Sequence, residues 1–121
     1  MQQAAEAYNQ TDKITKPPRQ LEASLLLKSA SQLQSLKDNW EPPREDLSAA
    51  LYYNRRLWTV FVSSVATAEN KLPIEIKNNI ASLGAFIFNH TLAVERNPAP
   101  EKLETLININ KEIAAGLHSE A

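Results

Sequence analysis

Seven prolines punctuate this chain of 121 residues, and they constrain its architecture more than any other feature. Proline has no backbone N–H and a fixed φ, so it suits the first turn of a helix and breaks the interior. Pro17-Pro18, Pro42-Pro43, Pro73 and Pro98 with Pro100 therefore mark where helices start and stop. The stretches between them carry apolar residues at helical spacing. Only two glycines occur, Gly84 and Gly116. Hairpin-rich β folds need glycine in their tight turns, so the punctuation points to an all-α fold.

The pattern predicts four main helices in a small antiparallel bundle over residues 17–121, because the connections are short and proline-rich. Residues 1–16 stand apart as an N-terminal segment, with a short helix around Gln3–Asn9 and a polar linker through Lys16. The first long helix is expected from Pro17-Pro18 to about Trp40, with Leu25, Leu26, Ala30, Leu33, Leu36 and Trp40 on one face. The second is expected from Pro42-Pro43 to about Glu69, with Asp46 as its N-cap. Leu47, Ala50, Leu51, Asn54, Leu57, Trp58, Phe61, Val62 and Val65 share its core face, which Tyr53 and Val60 widen. The third is expected over Pro73–Arg96, with Ile76, Ile80, Leu83, Ile87, His90, Thr91 and Val94 inward. The fourth is expected over Glu101–Leu117, with Leu103, Leu106, Ile107, Asn110, Ile113, Ala114 and Leu117 inward.

A hydrophobic content of 43% is enough for one core. Thirteen basic side chains face fourteen acidic ones, and the signs are mixed along the chain. With no basic block, direct nucleic-acid binding and anionic lipid binding are not expected. The absence of cysteine excludes disulfides, thiolate metal sites and cysteine nucleophiles. The N-terminus has neither the basic start nor the apolar run of a signal peptide. The longest uncharged run, Asn78 to Val94, is too short and too polar to span a membrane. A cytoplasmic protein with no membrane role is expected.

No catalytic or metal-binding pattern is present, and no cofactor is implied. The two histidines, His90 and His118, fall on different helices. There is no glycine-rich phosphate loop and no nucleophile elbow. His90 lies on an apolar face and reads as a hydrogen-bonded core histidine rather than a catalyst. Asn89-His90-Thr91 matches a glycosylation triplet, but a mid-helix position makes it accidental. An enzyme is not expected.

Three polar residues interrupt the apolar stripes: Asn54, His90 and Asn110. Either they bond one another or nearby carbonyls and fix the register of the bundle, or one of them awaits a partner. The first reading is preferred because buried polar groups are usually satisfied. Trp58 sits mid-stripe on the most apolar helix and is expected in the core. Tyr52, Arg55 and Arg56 have the composition of a binding hot spot and equally of an ordinary wet face. The third helix also carries a second apolar series, Ile74, Ala81, Ala85, Phe88 and Leu92. It is either sandwiched between neighbouring helices, the preferred reading, or exposed as a shallow groove, with Phe88 and Leu92 flanked by small Ala81 and Ala85.

The run Leu51-Tyr52-Tyr53-Asn54-Arg55-Arg56-Leu57-Trp58-Thr59-Val60-Phe61 resembles the central signature of the FlaF flagellar regulators. Arg19 to Ala23 with Leu25 to Lys28, Leu72-Pro73, Ser82-Leu83, Phe86, His90-Thr91, Leu106 to Asn110, Ile113-Ala114 and Gly116-Leu117 fit the same family, as does Ala7-Tyr8. The resemblance implies a role in flagellum assembly: a protein required for flagellin production, binding flagellin as a cytoplasmic secretion chaperone and acting with FlbT. An alternative is a post-transcriptional regulator or adaptor that works through FlbT and flagellin mRNA without chaperoning flagellin. Under the chaperone reading, Phe88 and Leu92 would receive an amphipathic flagellin helix.

Overall fold

The computed structural model describes residues 18–41 and 44–120. These residues form four helices and no strand: α1 (Pro18–Asp38), α2 (Arg44–Ala66), α3 (Ile74–Arg96) and α4 (Pro100–Glu120). The all-α bundle read from the proline spacing is the fold observed. The short helix expected around Gln3–Asn9 lies outside the described residues.

Each helix buries one stripe. On α1 the stripe is Ala23, Leu26, Ser29, Ala30 and Leu33, and on α2 it is Leu47, Leu51, Asn54, Trp58, Phe61 and Val65. On α3 it is Ile80, Gly84, Ile87, Thr91 and Val94. On α4 it is Leu103, Leu106, Ile107, Asn110, Ala114 and Leu117. Steps of three and four keep each set on one side of a helix with 3.6 residues per turn. α1 runs antiparallel to α2, since Ser29 meets Asn54 while Glu22 meets Ser64. The most extensive pairing joins α1 to α4, whereas α3 rests mainly on α2 and touches α4 little. Small side chains at a helix contact shorten the interaxial distance; α1 buries Ala23 and Ala30, and α4 buries Ala114.

Gly84 sets how closely α3 approaches α2. A Cβ placed there would lie 2.7 Å from Val62 Cγ2, closer than carbon atoms pack. The α2–α3 connection is closed by polar groups: Asn70 Oδ1 accepts the Leu72 N–H at 3.0 Å, and Lys77 donates Nζ to the Thr67 carbonyl at 3.1 Å. Buried Leu72 plugs the core beneath this turn.

Several boundaries differ from the sequence expectation. α1 stops at Asp38 rather than Trp40, and α2 stops at Ala66 rather than Glu69, where Thr67 N–H turns back to the Ser64 carbonyl at 3.4 Å. α4 continues past Leu117 to Glu120. Asp46 is not an N-cap; it lies inside the first turn of α2, where it and Glu45 favour the positive helix end.

Candidate partner-binding surface

The interior carries a chain of polar side chains. Trp58 donates Nε1 to Asn110 Oδ1 at 2.8 Å, and Asn110 donates Nδ2 to Asn54 Oδ1 at 2.8 Å. Ser29 donates Oγ to the same Asn54 oxygen at 2.8 Å. Asn54, Asn110, Trp58 and Ser29 are wholly buried, so the chain ties α1, α2 and α4 together out of contact with water. Its direction is set by Trp58, because an indole N–H only donates. The Asn110 oxygen must face it, the Asn110 amide nitrogen must face Asn54, and Asn54 must present oxygen. One donor is left over: Asn54 Nδ2 is buried without a partner among the described residues.

His90 is not part of this chain. It is half-exposed, stacks on Phe86 with centroids 5.3 Å apart, and pairs through Nε2 with the Lys102 carbonyl at 2.8 Å. A carbonyl only accepts, so Nε2 carries the proton and His90 fastens α3 to the start of α4. Of the three interrupting residues, Asn54 and Asn110 bond one another, joined by Ser29 and Trp58, and His90 bonds a nearby carbonyl, as the preferred reading expected. Ser29 escaped a search for apolar periodicity because it is polar, although it follows Leu26 by three residues on the core side.

The opposite side of α2 faces outward and meets α3 in an open groove of about 570 Å³. Tyr52, Arg55, Arg56, Thr59 and Val60 from α2 and Phe88 and Leu92 from α3 line it. Two sets of residues that are separate in sequence, the Tyr52–Arg55–Arg56 cluster and the Phe88–Leu92 pair, are therefore one surface. The sandwiched reading of the second α3 series is overturned. Ile74 is 68% and Leu92 47% exposed, Ala81 and Ala85 are exposed, and Phe88 is half-buried against the core. The reason is packing: α3 rests mainly on α2 and touches α4 little, so no second helix covers this series, which flanks the buried stripe through Gly84 and borders α2. Ala81 and Ala85 share that flank but do not line the groove.

Val60, expected to widen the core, is 63% exposed and forms part of the groove wall. The spacing contains the signal that places it there. Tyr52, Arg56 and Val60 are four residues apart and fall on one outer line of the helix.

Tyr52 organises the two cations. The Arg55 guanidinium lies 5.6 Å and that of Arg56 5.9 Å from the Tyr52 ring centroid. Neither has a carboxylate partner among the described residues. The stacking attraction is electrostatic, between cation and ring quadrupole, and leaves the guanidinium N–H donors available. Among the described residues no carboxylate lines the groove, so its polar character is cationic.

A second groove of about 500 Å³ lies between α1 and α2, lined by Ser31, Gln32, Ser35, Leu36, Asp46, Ala49, Ala50 and Tyr53. Lys28 sits 5.7 Å over the Tyr53 ring, and burial holds the Tyr53 hydroxyl above the ordinary tyrosine pKa. Near the start of α1, burial raises the Glu22 pKa, opposed by a hydrogen bond with Ser64 and by nearby Arg19. Among the described residues, no group of three or more His, Asp or Glu is placed to hold a metal ion, and no helix is long and apolar enough to cross a membrane.

The family model described as flagellar protein FlaF matches residues 4–117, nearly the whole chain. Among curated proteins and among solved structures there is no match.

Proposed function

Because this chain belongs to the FlaF family of flagellar proteins, we propose that it is a non-catalytic, cytoplasmic protein that binds unpolymerised flagellin as a secretion chaperone and acts with FlbT in flagellin production. The observation that carries the reading is the α2–α3 groove. It brings Tyr52, two arginines, Val60, Phe88 and Leu92 to one exposed place on the bundle. Contiguous exposed apolar side chains on a small protein mark an interaction site, and aromatic residues and arginine dominate binding energy at such sites. A groove between two helices suits helix-in-groove recognition. A subunit that must polymerise through amphipathic helices needs those apolar stripes covered before export, and an open groove covers them reversibly.

The test is retention of purified flagellin by the immobilised protein, with and without purified FlbT. Flagellin is expected to be retained without FlbT, and a Val60→Gln, Leu92→Gln variant is expected to lose it. Retention only when FlbT is present supports the adaptor reading instead. No retention in either case overturns flagellin binding.

A further inference from the structure

We propose that the α2–α3 groove selects its partner by charge: it takes an amphipathic helix that carries carboxylates about one turn from its apolar stripe, and rejects the same helix with basic flanks. This rests on the groove being the partner site, and it adds what chemistry that partner must have.

The occupant's apolar stripe follows from the exposed walls. Tyr52 and Val60 on one side and Leu92 on the other are each close to half or more exposed, and Phe88 forms the floor, packed against the core. From Tyr52 to Val60 the α2 wall spans eight residues, about 12 Å at 1.5 Å per residue, or roughly two helical turns. That length matches a short helical stripe. The same exposure disfavours a small molecule, which needs an enclosing pocket to bury most of its surface. Among the described residues there is no sheet edge to which an extended peptide could add as a strand.

The charge requirement follows from Arg55 and Arg56. Both guanidinium groups border the groove, and among the described residues neither is neutralised by a carboxylate and no acidic side chain lines the walls. Each lies within about 6 Å of the Tyr52 ring centroid, an attraction that restricts its rotamers while leaving its N–H donors available. Less side-chain entropy is then lost when a carboxylate arrives, and the planar fork matches a carboxylate geometrically. Arg56 lies midway between Tyr52 and Val60 on one line of α2, so an acid that meets it sits beside the apolar contacts rather than beyond them. A lysine at the same place in the ligand would meet two like charges. Tyr52 is here a positioning residue that acts through the arginines.

The experiment uses the full chain and two synthetic helical peptides with one shared apolar stripe, flanked by Glu in one and by Lys in the other. Binding is read by fluorescence anisotropy. The Glu peptide is expected to bind about tenfold more tightly or better, the ratio that two modest charge pairs produce. Its advantage should shrink as salt is raised, since exposed pairs are screened. Arg55→Glu, Arg56→Glu replaces two exposed side chains and should keep the wild-type thermal transition while reversing the preference. Tyr52→Phe should keep the preference, and Tyr52→Ala, which also removes part of the apolar wall, should weaken both peptides but the Glu peptide more, so that the preference shrinks. Val60→Gln, Leu92→Gln should lose both peptides. Equal binding of the two peptides, no measurable binding of the Glu peptide, or a preference unreversed by the charge swap would each overturn the proposal. The flagellin assay fails or succeeds independently. A charge-selective groove that does not retain flagellin sinks the flagellin reading alone, and retained flagellin with undiscriminated peptides sinks charge selection alone.

Discussion

Changing Asn54 and Asn110 to leucine, singly and together, isolates the buried polar chain. Asn110→Leu strands the Trp58 N–H, while Asn54 Oδ1 keeps its bond from Ser29. Asn54→Leu strands the Asn110 amide N–H and the Ser29 hydroxyl but removes the donor that is already unpaired, Asn54 Nδ2. Each single change therefore leaves a net of one additional stranded group, costing about 1–3 kcal/mol. The double change strands the Trp58 N–H and the Ser29 hydroxyl and again removes the orphan, so its net is also one. The expected coupling is a double-variant loss smaller than the sum of the singles by about 1–3 kcal/mol. Urea unfolding of the four proteins measures it, with unchanged m values confirming that two-state unfolding is being compared. Losses additive to within about 0.5 kcal/mol would show that the two asparagines are not energetically joined and would refute the chain as drawn.

Trp58→Ala removes a fully buried ring that contacts Phe61 edge-on and leaves Asn110 Oδ1 without its donor, so a loss of about 3–5 kcal/mol is expected by chemical denaturation. Gly84→Ala and Gly116→Ala should move stability in opposite directions. Both remove a helical glycine, a gain of about 1 kcal/mol, but only at Gly84 does the added methyl meet Val62, at a cost of about 1–3 kcal/mol. Melting temperatures that rise for both would refute the close approach of α3 to α2. Glu22 has a raised pKa in the fold, so the stability its protonated form contributes is present in acid and is lost as pH rises through that pKa. Glu22→Gln should accordingly gain on the wild type between acid and neutral pH, and unfolding curves of the two proteins that stay parallel over that range would contradict the burial of this carboxyl.

The architecture was legible because its signals are local. Proline doublets and stripes of Leu, Ile and Val placed all four helices, with errors confined to their ends. The end of α2 had no punctuating residue at Thr67, so the apolar pattern ran on in sequence after the backbone had turned. What the pattern could not reveal was the exact rotation of each stripe. Counting apolar residues alone gave Ser29 and Gly84 no weight, yet both are buried, while Leu92 and Ala85 stay exposed because α3 packs mainly on α2 and touches α4 little. Val60 was misplaced for the complementary reason, since an exposed valine looks like core until the outer line through Tyr52 and Arg56 is drawn. That Tyr52 and Phe88 share one groove is a long-range fact, set by the antiparallel packing of α2 on α3, and no spacing within either helix encodes it.

The signature segment of α2 does two jobs at once, and helical geometry keeps them separate. With 3.6 residues per turn, each residue advances about 100°. Asn54, Trp58 and Phe61 then fall within one narrow inward sector, while Tyr52, Arg56, Thr59 and Val60 cluster about the opposite side, with Arg55 at its border. The inward set holds α1 and α4 through the asparagine chain and the Trp58 ring; the outward set forms the α2 wall of the groove. An alanine scan across residues 52–61 should therefore sort by helical position rather than by residue type. Alanine at 54, 58 or 61 should lower the melting temperature, through stranded donors or lost packing. Alanine at 55, 56, 59 or 60 should leave it nearly unchanged, because exposed substitutions away from caps and core shift stability by only about 0.5 kcal/mol. Partner binding should be lost in the second group at full stability. If the losses in stability were spread evenly along the segment, or if binding followed stability throughout, the two faces would be one, and the groove would be no more than an imperfectly filled part of the core.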